Sequence, residues 1–194
     1  MKITKEWLVE NGACSGGRKW FSAQKTTDGV KVIKKLMKED RLDWANWTII
    51  HLMNREQKIQ YAVFAAEQVL GLYEKQYPGD DRPRKAIEAA RKCIADKSAD
   101  AADAAADAAD AAADAADAAA AAYVADAAYA AYAARAAARA ADAVADAADA
   151  AAAAYVADAA DAAADAVADA AAGAAMKAKI LKYGIGLLEG KEGL

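Results

Sequence analysis

From residue 100 to 172, polar positions recur every three or four residues in a field of alanine. Asp103, Asp107, Asp110, Asp114 and Asp117 are separated by steps of 4, 3, 4 and 3. That is the period of an α-helix, so these five carboxylates share one face. A strand would need a step of two and a pentapeptide β-solenoid a step of five. Asp142, Asp146 and Asp149 repeat the 4, 3 step, and Asp158, Asp161, Asp165 and Asp169 run 3, 4, 4. Alanine loses no side-chain entropy on ordering and is the strongest helix former. No Gly or Pro lies between Pro83 and Gly173.

A longer period overlies the short one. The string DAADAAAAAYVADAA starts at Asp114 and again at Asp146, 32 residues later. Tyr123 and Asp126 fall on Tyr155 and Asp158, whereas Asp103 and Asp107 fall on Arg135 and Arg139, so the repeat is local. Repeats of this length point to stacked helical units. One continuous helix over the stretch would be about 110 Å long, far beyond the usual ~12 residues. Breaks are therefore expected, with some aspartates as N-caps. The expected packing is short antiparallel helices joined through alanine, with aspartate outward.

The first hundred residues show ordinary amphipathic periods. Residues 4–10 predict a short helix capped by Thr4, with Trp7 and Leu8 inward. Residues 11–17 carry three glycines and predict a loop. A helix is expected to resume at Arg18, with Trp20 and Phe21 in the core. Asp28 is placed to cap a helix to about Glu39, with Val30, Ile33 and Met37 on its apolar side. Lys31, Lys34, Lys35 and Lys38 line another side. Asp43 is expected to cap the helix carrying Trp44, Trp47 and His51. Asn54 with Gln57 reads as a capping box opening a helix to about Gln76. A turn follows at 78–81, and Pro83 suits the first turn of the next helix. After Gly173 the apolar pattern returns at Met176, Ile180, Leu181, Tyr183, Ile185, Leu187 and Leu188. No segment alternates at period two.

The expected fold class is all-α. A helical head (1–99) leads into alanine- and aspartate-rich packed helices (100–175), and a C-terminal helix (176–194) docks back on the head. Uncharged runs such as 118–125 are far shorter than the ~20 apolar residues of a membrane span.

Charge sharpens this division. The net charge is −4, yet residues 100–175 hold fourteen Asp and two Arg, and residues 1–99 hold nineteen Lys or Arg against thirteen Asp or Glu. A basic head beside an acidic tail suggests charged partners, or ends that meet each other. Cys14 and Cys93 are the only cysteines and have no metal-ligand spacing. With no leader pattern in residues 1–10, a reduced, cytoplasmic protein is expected.

Candidate chemistry is sparse. The run GACSGGRKWF lacks the preceding strand and the Lys-Ser/Thr pair of a phosphate loop. Cys14 as a nucleophile would need a base, and His51 is the only histidine. A lone His at helical spacing from two tryptophans reads first as a hydrogen-bonded core residue. The lysine stripe reads either as a solvated face or as an anion site.

Residues 42–94, with the runs YAVFAAEQVL and DRPRKAIEAAR, resemble a group of phage and bacterial immunity proteins related to those of polymorphic toxin systems. The opening KITKEWLVENGACSGGRKWF and the alanine-rich tail extend the likeness over nearly the whole chain. The tail here holds more Asp than the Tyr-rich form usual in that group. The resemblance implies a non-enzymatic protein that binds and neutralises a toxin, nuclease or defence factor.

Two recognition surfaces follow as expectations. The carboxylates Asp103, Asp107, Asp110, Asp114 and Asp117 would form an acidic partner-binding face, or mimic a nucleic acid's phosphates. Lys31, Lys34, Lys35 and Lys38 would bind an anion, as in a sponge for a nucleotide-type immune signal, or meet the Asp-rich helices of another protomer. No cofactor, no metal, no membrane and no direct nucleic-acid binding is expected.

Overall fold

The computed structural model describes residues 1–96, 98–120, 132, 135–136, 139–140, 151–167 and 170–191. The described residues are mostly helical, with no strand among them. The only extended pairing among them is an isolated antiparallel bridge between Lys2 and Asp28. The helices are α1 (Lys5–Glu10), α2 (Ser15–Ser22), α3 (Gly29–Lys38), α4 (Leu42–Leu52), α5 (Arg55–Glu67), α6 (Leu70–Gln76), α7 (Arg82–Ala95), α8 (Ala99–Ala120), α9 (Ala151–Asp165) and α10 (Ala170–Leu188).

Local caps start most of the head helices. Thr4 Oγ1 accepts from Trp7 N–H at 3.1 Å and Asp28 Oδ1 from Lys31 N–H at 3.0 Å. The Asn54–Gln57 capping box is closed in both directions, at 2.9 and 3.0 Å. Pro83 sits in the first turn of α7. The turn before it is held by Asp80, which accepts from Tyr73 Oη at 2.6 Å and from Arg82 Nη2 at 2.6 Å.

Several boundaries differ from the sequence reading. α2 begins at Ser15, inside the glycine-rich run, because the Cys14 thiol caps it by accepting from Gly17 N–H at 3.3 Å. Asp43 does not cap α4: Arg41 occupies that position without a side-chain bond, and Asp43 lies in the first turn. The helix expected from 55 to 76 breaks at Gln68 and Val69, so α6 is separate. The buried side of α3 is Val32, Ile33 and Leu36, with Val30 and Met37 only flanking it. Ser98, not an aspartate, bonds the first turn of α8, accepting from Ala101 N–H at 3.2 Å. The C-terminal helix starts at Ala170, ahead of the apolar segment. The partners of the 32-residue repeat at Tyr123, Asp126, Asp142, Asp146 and Asp149 lie outside the described residues.

α4 and α5 form the centre. α9 and α10 pack on both of them, α3 packs on α4 and α10, and α7 joins α5 to α8. Large side chains concentrate where α4, α5 and α10 meet: Ile49, Ile59, Tyr61, Ile180 and Leu181 are each 0% exposed. Burying such side chains contributes about 1.5–3 kcal/mol each. Phe64 stacks on Tyr183 with ring centroids 3.9 Å apart. Gln57 Nε2 also donates to Leu187 O at 2.8 Å, fixing the end of α10.

One buried polar pair crosses this core. Tyr61 Oη donates to Asn46 Oδ1 at 2.8 Å. Burial pushes the Tyr61 phenol far above its ordinary value of 10.0, and the Asp161 charge adds to this. Tyr73 is raised by burial and by its bond to Asp80. The fold thus favours both neutral phenols. That stability is complete below about pH 10 and is lost above it, where only the unfolded chain ionises freely. Thermal melts from pH 8 to 12 should therefore fall above about pH 10. Tyr61→Phe should cost about 1–3 kcal/mol at pH 8 by stranding Asn46, and should flatten the alkaline decline. An undiminished slope would remove Tyr61 as its cause.

Candidate functional site

α8 is an alanine rod with an acidic exterior. Ala105, Ala109, Ala112 and Ala116 are 0–1% exposed, while Asp107, Asp110 and Asp114 are exposed. Asp103 and Asp117 lie in the same helix, and their side chains fall outside the described residues. The rod is pinned to α7, and the buried Cys93 thiol donates to Ala101 O at 3.0 Å. A carboxylate every three to four residues is about one charge per 5 Å of axis. Duplex DNA carries one per ~1.7 Å. The face is therefore sparser in charge than a duplex.

The lysine stripe is partly committed to the fold. Lys31, Lys34, Lys35 and Lys38 are all exposed on α3. Lys34 Nζ lies 2.7 Å from Glu189 Oε1, and Lys35 Nζ donates to Gln24 Oε1. Glu189 is also paired with Lys191 at 2.8 Å, and these two lysines hold its carboxyl down at about 2. Half of the proposed anion site thus tethers neighbouring elements.

A cavity of about 370 Å³ opens among residues of α1–α4 and the loop at Gly12–Cys14. Trp20, Phe21, Leu36, Trp44 and Trp47 supply much of its wall, and Asp43 is its one charged lining residue. Two of the tryptophans are held from behind. Trp20 Nε1 donates to Glu39 Oε2 at 2.7 Å, and Arg41 approaches the same oxygen at 3.4 Å. The Arg41 guanidinium lies 4.6 Å from the centre of the Trp44 ring. His51 stands behind Trp47, stacked at 4.1 Å, with its Nδ1 2.8 Å from Trp47 O. Because a carbonyl only accepts, Nδ1 carries the proton. Burial lowers the His51 pKa, which keeps the ring neutral near pH 7. It is a packing residue.

A charged centre that sequence reasoning missed joins α4, α9 and α10. Lys177 Nζ lies 2.5 Å from Asp43 Oδ1 and 2.7 Å from Asp161 Oδ1. The Asp161 contact is a close ion pair without hydrogen-bond alignment, and that oxygen is otherwise buried without a partner. Burial opposes the Lys177 charge, but its pairing with Asp161 and Asp43 outweighs it and raises the pKa. Burial raises Asp161 against the pull of Lys177. Asp43 and Lys177 are 134 residues apart, so no local spacing announces the pair.

Among the described residues no group of His, Cys, Asp and Glu could hold a metal ion. No described helix is long and apolar enough to cross a membrane. No family model, no curated protein and no solved structure matches the chain.

Proposed function

We propose that this protein is a non-catalytic, immunity-type or anti-defence protein that neutralises a toxin, nuclease or defence factor by stoichiometric binding in the cytoplasm. The observation that carries this reading is the α8 surface. Asp107, Asp110 and Asp114 are exposed at helical spacing while the alanines between them are buried. A rigid helix presents charge to a partner without first being ordered, which saves binding entropy. The partner this favours is a protein with a basic site. The resemblance of residues 42–94 to immunity proteins points the same way. The nucleotide-sponge alternative has less support. Lys34 and Lys35 are engaged internally, and the aromatic cavity has no Lys or Arg among its lining residues.

The test is a titration against the target captured from host cells. One equivalent should silence one equivalent of target, with neither protein covalently changed. Binding should weaken steeply with salt, because exposed charges are screened within about 8 Å at physiological ionic strength. Changing Asp103, Asp107, Asp110, Asp114 and Asp117 together to Asn should slow association by about tenfold or more. Changing Lys31 and Lys38, both exposed, to Glu should leave target binding intact. Substoichiometric inactivation of many targets would mean an enzyme. Binding insensitive to both salt and the Asn changes would move the contact off α8.

A further inference from the structure

We propose that the aromatic cavity of the head is a binding site for a small, flat, uncharged aromatic molecule. The inference is independent of the acidic face of α8. At about 370 Å³ the cavity is within the range of small-ligand pockets. Its wall is built mainly from aromatic and aliphatic side chains, so a ligand gains by stacking and by leaving water. Small residues at Gly12, Ala13 and Gly17 keep the space open.

The site is preorganised. Glu39 fixes Trp20, and Arg41 lies against Trp44. Trp44 is also close to Gly16, where a Cβ would come within 3.4 Å of Trp44 Cζ2. A larger residue at Gly16 would press on that ring. Rings held before binding lose little freedom on binding.

The lining offers an anion no cationic partner, and Lys177 already pairs with the one carboxylate that a cation would use. Asp43 is the only ionic lining residue, and Lys177 faces it. An anion would meet this carboxylate with no Lys or Arg among the lining residues. Thr48 Oγ1 already donates to Trp44 O at 2.7 Å. Few polar hooks remain, so shape and ring stacking decide what enters.

Cys14 makes the site measurable. It lines the cavity and is exposed, whereas Cys93 is buried. The probe is N-phenyl-1-naphthylamine, followed by energy transfer from tryptophan. Binding should be saturable, with a Kd in the micromolar range. At saturation, alkylation of Cys14 by N-ethylmaleimide should slow at least fivefold. Adenosine 5′-monophosphate at millimolar concentration should not displace the probe. Trp44→Leu should weaken binding at least tenfold with unchanged circular dichroism. Should that variant lose its fold, Ala13→Leu, which fills the cavity, should give the same loss, while Lys31→Ala should bind normally. Non-saturable fluorescence, an unchanged Cys14 rate, or displacement by the nucleotide would overturn the proposal.

Discussion

Gly184→Leu should destabilise the protein by about 3 kcal/mol or more, at the upper end of overpacking changes. Gly184 lies in α10 where it crosses α4 and α5. A Cβ there would come within 2.6 Å of Tyr61 Cε2 and 2.9 Å of Ile49 Cγ2. Tyr61 has little room to retreat, because it is 0% exposed and its hydroxyl is bonded to Asn46. The expected drop in Tm is roughly 10 °C for a chain of this size. Gly71 is the control. A Cβ there meets nothing within 4 Å, so Gly71→Ala in α6 should be neutral or stabilising by up to about 1 kcal/mol. Denaturant unfolding of both variants checks the pair. A Gly184→Leu protein as stable as the parent would show that α10 does not approach α5 this closely.

Ala112→Leu and Ala109→Leu should each cost about 2–3 kcal/mol, by the same overpacking mechanism. Both alanines are at most 1% exposed in α8. Leucine is as good a helix former in isolation as most residues, so intrinsic propensity predicts almost no loss. The loss arises because a leucine side chain has no room in so closely packed a helix seam. Asp110→Ala on the exposed face should be neutral or slightly stabilising, since it removes carboxylate repulsion at three and four residues. Thermal melts of the three variants, read by circular dichroism, provide the check. Equal melting points would mean that the alanine seam is not tightly packed.

The element type and the two faces of α8 were legible in the chain, whereas the buried side of α3 turned to Val32 and Leu36 beside Ile33. Caps at Thr4, Asp28 and Asn54 depend on contacts three residues apart, and all three formed. The inward alanines and outward Asp107, Asp110 and Asp114 follow from a period that any α-helix imposes. The misplaced boundaries have separate causes. α2 could begin early because a thiol served as cap. Asp43 was drawn to Lys177 instead of the helix end.

The candidate sites divide along the same line. The acidic face and the lysine stripe are properties of single helices, and spacing alone determined them. The engagement of Lys34 with Glu189, the Asp43–Lys177–Asp161 centre and the aromatic cavity belong to tertiary structure. Each brings together residues from separate helices, and a chain reports such neighbours only when short-range geometry forces them. Helical period is a local constraint worth a few tenths of a kilocalorie per residue, repeated many times. Pockets and ion pairs arise from how whole helix faces pack against one another, and so only the folded chain decided them.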